Sequence, residues 1–158
     1  MNRRKTLNSE TICLLKSLNV AFNRVRGAYA LWAKENQVSY HEMVILYTLQ
    51  EGSCHTQGQI CEQYLLPKQT INNVISSLQV RGYVSLLADM PDRREKRLEL
   101  TASGRQYTNQ LLRPLRCIEE QLLLQLNAKE LQHMADMVLC YGQILENLIH
   151  DDRQEEPS

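Results

Sequence analysis

The sequence predicts a mainly α-helical protein with one small β-hairpin, a winged helix-turn-helix with N- and C-terminal dimerisation helices. Three observations support this fold class. Apolar residues recur at three- and four-residue steps along most of the 158 residues, a spacing that places them on one face of a helix. Two short helical segments flank a turn at residues 65–67, and two alternating segments flank a charged turn at residues 88–95, the pattern of a β-hairpin.

The first helix is predicted from about Asn8 to Lys34 and the second from Ser39 to Gly52. Ser39 and Glu42 have the spacing of a capping box, in which each side chain bonds the backbone of the other residue. Gly52 follows the last periodic residue and is a natural helix stop.

A helix-turn-helix pair is predicted next. Thr56 and Gln59 repeat the capping-box spacing and open a short helix that ends near Tyr64. Pro67 suits the first turn of the following helix because its missing amide hydrogen would be unpaired there. That helix is expected to end at Gly82, with an apolar face made of Ile71, Val74, Ile75 and Leu78.

The remaining elements are a hairpin and two long helices. Residues 83–87 and 96–101 have the composition and alternation of strands, and Thr101 caps a helix that runs to about Leu126. Pro114 lies inside that helix and removes one backbone hydrogen bond. Asn127 and Glu130 cap the last helix, and residues 151–158 are expected to be a flexible acidic tail.

The formal net charge is zero, but the charge is unevenly distributed. Residues 64–105 carry seven Lys and Arg against four Asp and Glu, whereas residues 106–158 carry four against nine. A balanced total therefore does not exclude a nucleic-acid partner, because phosphate binding requires a local basic patch. The acidic C-terminal third is expected to face something other than DNA.

Several function classes are disfavoured. No apolar run approaches the roughly 20 residues that span a bilayer, and no secretory leader is recognisable, so a cytoplasmic protein without membrane contact is expected. The five cysteines and four histidines are scattered, so we expect no metal and no cofactor. A glycine-rich phosphate loop and a serine nucleophile elbow are both missing from the sequence, which argues against an enzyme.

The stretch from Ser39 to Gly104 resembles the MarR (multiple antibiotic resistance regulator) family. Its most specific parts are "DRR" at residues 92–94 and "LTASG" at residues 100–104. The resemblance implies a homodimer that binds pseudo-palindromic duplex DNA, usually a repressor released by a small ligand or an oxidant. Residues 1–36 and 102–150 would form the dimerisation region, residues 37–101 the DNA-binding lobe and residues 151–158 the tail.

The resemblance places the family's wing arginine at Arg94 and its pairing aspartate at Asp92. Arg94 would enter the narrow minor groove, where the potential is most negative, and Arg93, Lys96 and Arg97 would add non-specific attraction. The recognition helix, Pro67 to Arg81, would present these residues to a major groove: Lys68, Gln69, Thr70, Asn72 and Asn73. Thr56 and Gln57, at the positive end of the preceding helix, are candidate phosphate contacts.

Plainer interpretations exist for both sets of residues. The wing charges would otherwise form a surface ion pair of small energy, and the polar side of the recognition helix would be an ordinary solvent-exposed face. A winged-helix module that binds protein instead of DNA is the alternative from another class.

The dimer is expected to form through apolar positions on the first and last helices, namely Ile12, Leu15, Leu131, Val138, Tyr141, Leu145 and Leu148. A small aromatic or amphipathic effector is expected in a crevice lined by Arg26, Tyr29, Trp32, His41 and Tyr47, although aromatic residues at helical spacing are also typical of a core. A thiol-based redox regulator is the other alternative, since some relatives use a reactive cysteine near Cys13. Zinc sensing is disfavoured because residues 101–126 contain no histidine.

Overall fold

The computed structural model describes residues 8–52, 56–87 and 97–154. For Arg153 and Gln154 it describes the backbone alone. Within these ranges the helices and strands follow in the order α1 (Ser9–Glu35), α2 (Tyr40–Glu51), α3 (Gln57–Tyr64), α4 (Lys68–Val80), β1 (Val84–Leu87), β2 (Arg97–Leu100), α5 (Ala102–Leu123) and α6 (Ala128–Gln154). The predicted mainly α-helical fold with one antiparallel hairpin is confirmed.

Local hydrogen bonds account for the helix boundaries. The Ser39 hydroxyl oxygen accepts the amide N–H of Glu42 at 3.0 Å and caps α2. Thr56 and Gln59 form a complete capping box at the start of α3. Gly52 ends α2 with a φ of 69°, a left-handed conformation that costs glycine little. The Thr56 capping box and the Gly52 stop are confirmed. At the start of α2 the Ser39 cap is confirmed, but only this half of the capping box forms, because the Glu42 carboxylate accepts from Arg81 instead.

The chain divides into two compact units, with the boundary between Arg113 and Pro114. The core of the first unit is formed by α2, α3, α4 and both strands. Its buried members are Ile45, Leu46, Ile60, Ile71, Ile75, Leu78, Val84, Leu98 and Leu100. Because α4 contributes one face to this core, its opposite face is directed to solvent.

The hairpin is packed on this core through alternate residues. β1 and β2 pair antiparallel, with Val84 opposite Leu100 and Leu87 opposite Arg97. Val84 and Leu100 are buried, as the alternation predicts for a half-buried hairpin. An isolated bridge also pairs the backbone of Thr56 with that of Arg97, so the base of the wing is joined to the start of α3.

The second unit contains the end of α5 and all of α6. The Asn127 side chain accepts the amide N–H of Glu130 at 2.9 Å and caps α6, as predicted. The helix extends to Gln154, which corrects the expectation of a flexible tail for residues 151–154. No glycine or proline occurs between the predicted helix end and Pro157, so nothing in the sequence stops the helix earlier. No helix in the described ranges is long and apolar enough to cross a membrane.

Candidate nucleic-acid interface

The N-terminal half of α4 presents a polar surface. Pro67 precedes the helix, and its carbonyl accepts the amide N–H of Thr70 at 2.9 Å. Ile71 and Ile75 are buried in the core. Since residues three and four apart share a helix face, this burial directs the remaining positions of the first two turns away from the core.

The predicted recognition residues all lie in the first two turns of α4 and differ in how far their side chains are exposed. Lys68, Gln69 and Asn73 are exposed, whereas Thr70 and Asn72 are half-buried. The Gln69 side-chain amide donates to the Asn73 side-chain oxygen at 2.9 Å. The two side-chain amides could exchange this hydrogen bond for hydrogen bonds to base edges in a major groove.

Gln57 connects α3 to α4. Its side-chain amide donates a hydrogen bond to the side-chain oxygen of Asn72. Gln57 is half-buried in the first turn of α3, where unpaired backbone N–H groups favour an anion. The two predicted contact residues are therefore adjacent in space although they are 15 positions apart.

The expectation for Thr56 is corrected. Its side chain is 1% exposed, and its hydroxyl oxygen accepts the amide N–H of Gln59 at 3.2 Å. A buried hydroxyl committed to a cap does not reach a phosphate. Thr56 instead fixes the start of α3, and the capping-box spacing that predicted its position was the signal for this structural role.

The tip of the wing lies outside the described residues. Asp92, Arg93, Arg94 and Lys96 fall in this segment, so their roles remain predictions. Arg97 is half-buried at the start of β2, and its Nε atom is 3.2 Å from Oε1 of Glu99.

Sequence reasoning missed a cluster of side chains where α4 meets the wing. Nη1 of Arg81 donates to Oε1 of Glu42 at 2.7 Å, and the Arg81 guanidinium carbon is 4.8 Å from the ring centroid of Tyr83. The Tyr83 and Tyr107 rings are stacked with centroids 4.3 Å apart. Glu42, the segment from Arg81 to Tyr83 and Tyr107 lie far apart in the sequence, so no local spacing could have indicated the cluster.

A cavity of about 610 Å³ lies beside the start of α4. Arg26 and His41, two of the predicted effector residues, line it together with Tyr40, Val44, Tyr64, Leu65, Leu66, Pro67 and Thr70. The Arg26 guanidinium lies 5.4 Å from the ring centroid of Tyr40. Leu65 is 66% exposed and has a positive φ of 48° in the turn between α3 and α4.

The other three predicted effector residues are elsewhere. Tyr29, Trp32 and Tyr47 are half-buried and are not part of this cavity lining. The spacing of Tyr29 and Trp32 indicated a shared face of α1, but it could not indicate which face borders the cavity. The rest of the cavity wall comes from α2 and from the turn between α3 and α4.

The outer helices carry many exposed large apolar side chains. In the first unit, α1 exposes Ile12, Leu14, Leu15, Leu18, Val20, Val25 and Leu31. In the second unit, α6 exposes Met134, Met137, Val138, Leu139, Ile144, Leu145, Leu148 and Ile149. Of the predicted dimer positions, Leu131 and Tyr141 are half-buried. Cys13 is exposed among the α1 residues.

The described residues contain no group of three or more His, Cys, Asp or Glu side chains placed to hold a metal ion.

The chain is similar to known proteins in both sequence and fold. The sequence model of the MarR family matches residues 37–95, which span α2 to the wing.

One relative is the HTH-type transcriptional repressor NicR of Pseudomonas putida, 27% identical over 113 residues that make up 72% of each chain. Among solved structures, NMB1585, a MarR family regulator from Neisseria meningitidis, has a TM-score of 0.79 at 24% identity and covers 88% of this chain and 98% of its own. Bordetella bronchiseptica BpsR, whose DNA binding is regulated by 6-hydroxynicotinic acid, has a TM-score of 0.61 at 16% identity, over 90% of this chain and 98% of its own.

Proposed function

We propose that this chain, which is a member of the MarR family of transcriptional regulators and not an enzyme, is a homodimeric repressor that binds a pseudo-palindromic operator and is released by a small ligand. The observation that carries the proposal is the exposed polar start of α4, supported from behind by a buried apolar face. An α-helix of this form fits a B-DNA major groove.

DNA contact is assigned to α4, the start of α3 and the wing. Lys68 supplies a cation for phosphate or guanine, while Gln69 and Asn73 supply amide groups that can pair with adenine. The base of the wing is joined to α3 through the Thr56–Arg97 bridge. The relative NicR is a transcriptional repressor, and BpsR binds DNA, which supports the same role here.

In the proposed dimer, a second copy of the chain packs against the exposed apolar side chains of the outer helices α1 and α6. Soluble monomers rarely expose contiguous apolar patches larger than a few hundred Å², and both α1 and α6 expose at least seven large apolar residues. Residues 106–158 are acidic on balance and would repel a phosphate backbone. The α6 surface is therefore better suited to a protein partner than to DNA.

The effector is assigned to the cavity beside α4. Its wall combines aromatic rings with the Arg26 guanidinium and the His41 imidazole, a combination suited to a small aromatic molecule with an acidic group. Two residues of this wall lie at the start of the recognition helix: Pro67 is its N-cap and Thr70 is in its first turn. A ligand that binds better to a conformation with displaced recognition helices would shift the population away from DNA.

The test begins with genome-wide footprinting to obtain a bound duplex, followed by fluorescence anisotropy on that duplex and on a scrambled one. We expect specific binding whose log affinity falls with log salt by about 0.9 for each phosphate contacted. Absence of binding even at low salt would overturn the proposal and favour the protein-interaction module.

Two variants of α4 separate the roles of its residues. Asn73→Ala should reduce the preference for the specific duplex, whereas Lys68→Ala should weaken binding to both duplexes and lower the salt slope by about 1. Ser77→Ala, an exposed position later on the same helix, is the matched control and should leave both affinities unchanged.

A further inference from the structure

Arg81 occupies the point where the recognition helix ends and the wing begins. Only Gly82 and Tyr83 separate it from the first residue of β1. Its guanidinium donates to Glu42 at 2.7 Å and lies 4.8 and 5.1 Å from the ring centroids of Tyr83 and Tyr107. Arginine suits such a site because its planar group can hydrogen-bond a carboxylate and stack on aromatic faces together.

Glu42 is held in place by its own helix. It lies in the first turn of α2, and its amide N–H is bonded to the Ser39 cap. Its side chain is 13% exposed, against 35% for Arg81. The Tyr107 hydroxyl is 3.4 Å from the same carboxylate oxygen. A carboxylate so enclosed keeps a fixed direction, so it can orient the cation that it binds.

The backbone on either side of Tyr83 is held by α5. The Gly82 carbonyl accepts hydrogen bonds from the hydroxyls of Thr101 at 2.6 Å and Ser103 at 3.0 Å. The Tyr83 carbonyl accepts the Thr101 amide N–H at 3.0 Å. Residues 81–83 are therefore attached to both α2 and α5, and the angle at which the hairpin leaves α4 is set by these attachments.

We infer that Arg81, held by Glu42, is a positioning residue for DNA binding that fixes the direction of the wing relative to the recognition helix. This inference rests on the proposed function. A helix in one groove and a wing on the same duplex bind more tightly if their relative direction is already set, because disorder at the junction would otherwise have to be lost on binding.

Two other roles for Arg81 give different expectations. If Arg81 only contacted a phosphate, removal of the Glu42 charge would strengthen DNA binding, because less negative charge would face the duplex. If the cluster only stabilised the fold, its variants would lower the melting temperature and leave the affinity of the folded protein unchanged. Positioning predicts weaker binding after the loss of a negative charge.

The experiment compares Glu42→Gln, Arg81→Gln and Arg81→Lys in the full-length protein, on the duplex obtained by footprinting. Arg24→Gln, an exposed position on α1, controls for the loss of one positive charge. We expect Glu42→Gln and Arg81→Gln to raise the Kd about threefold to tenfold, more than Arg24→Gln. The salt slope should fall by about 1 as one wing phosphate contact is lost.

Arg81→Lys keeps the charge and loses the planar group, so we expect a smaller rise in Kd in the same direction. It also provides the answer if Glu42→Gln fails to fold. Unchanged or tighter binding by folded Glu42→Gln, with wild-type affinity for Arg81→Lys, would overturn the inference while leaving DNA binding intact. Failure of the wild-type protein to bind any duplex would overturn the proposed function and this inference together.

Discussion

A β-carbon placed on Gly104 would lie 1.9 Å from the carbonyl oxygen of Tyr83. The start of α5 thus crosses the junction before β1 with no space for a side chain. The Tyr83 carbonyl cannot move aside freely, because it also accepts the Thr101 amide N–H. The glycine of the "LTASG" motif is explained by this close approach of two backbone segments.

Gly104→Ala is expected to destabilise the protein by about 3 kcal/mol, because the added methyl group overpacks against backbone atoms. Urea-induced unfolding, followed at one fixed protein concentration, measures this change. Gly27→Ala is the matched control, since nothing lies within 4 Å of its β-carbon position. That variant should gain about 0.5–1 kcal/mol from the lower entropy cost of alanine in a helix. Equal stability of Gly104→Ala and wild type would contradict the close approach.

Arg94→Ala is expected to weaken binding to the specific duplex by at least about 1 kcal/mol, because the resemblance assigns Arg94 to the minor groove. Fluorescence anisotropy gives the dissociation constant, and sedimentation should show an unchanged oligomeric state. Arg113→Ala removes the same charge from an exposed position on α5 and should have little effect. An unaltered Kd for Arg94→Ala would exclude the wing assignment.

Leu145→Asp is expected to dissociate or unfold the proposed dimer. Leu145 is 44% exposed on α6, and a carboxylate at an apolar interface would be buried without a partner. Sedimentation velocity measures the change in mass. Asn147→Asp introduces the same charge two residues away without removing an apolar side chain, so it should sediment as wild type. A stable dimer of Leu145→Asp would exclude this face as the interface.

Stability at alkaline pH should depend on Tyr107. Burial raises the pKa of Tyr107 above its usual value, and the hydrogen bond from Arg81 partly opposes this. A pKa that is higher in the folded than in the unfolded state contributes stability that is present below about pH 10 and is lost as pH rises through the folded-state pKa.

Tyr107→Phe should therefore lose less stability than wild type when the pH is raised from about 9 to 11. The difference between the two proteins in thermal unfolding across this range isolates Tyr107 from the other tyrosines. Parallel loss of stability in both proteins would show that Tyr107 does not titrate differently on folding.

The sequence predicted those features that are settled within a few residues. The Ser39 and Thr56 caps are bonds between positions three apart, and Gly52 stops α2 by its own backbone freedom. The Arg81–Glu42 pair joins positions 39 apart. Such a pair depends on how α2 and α4 pack, which the spacing of apolar residues does not specify.

The candidate site likewise contains residues whose placement follows from local spacing and residues whose placement depends on how the helices pack. The exposure of Lys68 and Asn73 follows from the apolar period of α4, so their placement could be predicted. The cavity wall could not, because it takes residues from α1, α2 and the α3–α4 turn. The apolar period of α1 predicted that Tyr29 and Trp32 share one face of the helix. It did not indicate which other element packs against that face.

The left-handed conformation of Leu65 has a cost that glycine at this position would avoid, about 1–2 kcal/mol for an L-residue. The chain holds a large side chain there all the same, at the rim of the cavity and mostly in water. Leu65→Gly would relax the backbone and at the same time remove one apolar wall. Resistance to heat should therefore rise and the affinity for the proposed effector should fall when this single residue is replaced, so the turn couples the two properties in opposite directions.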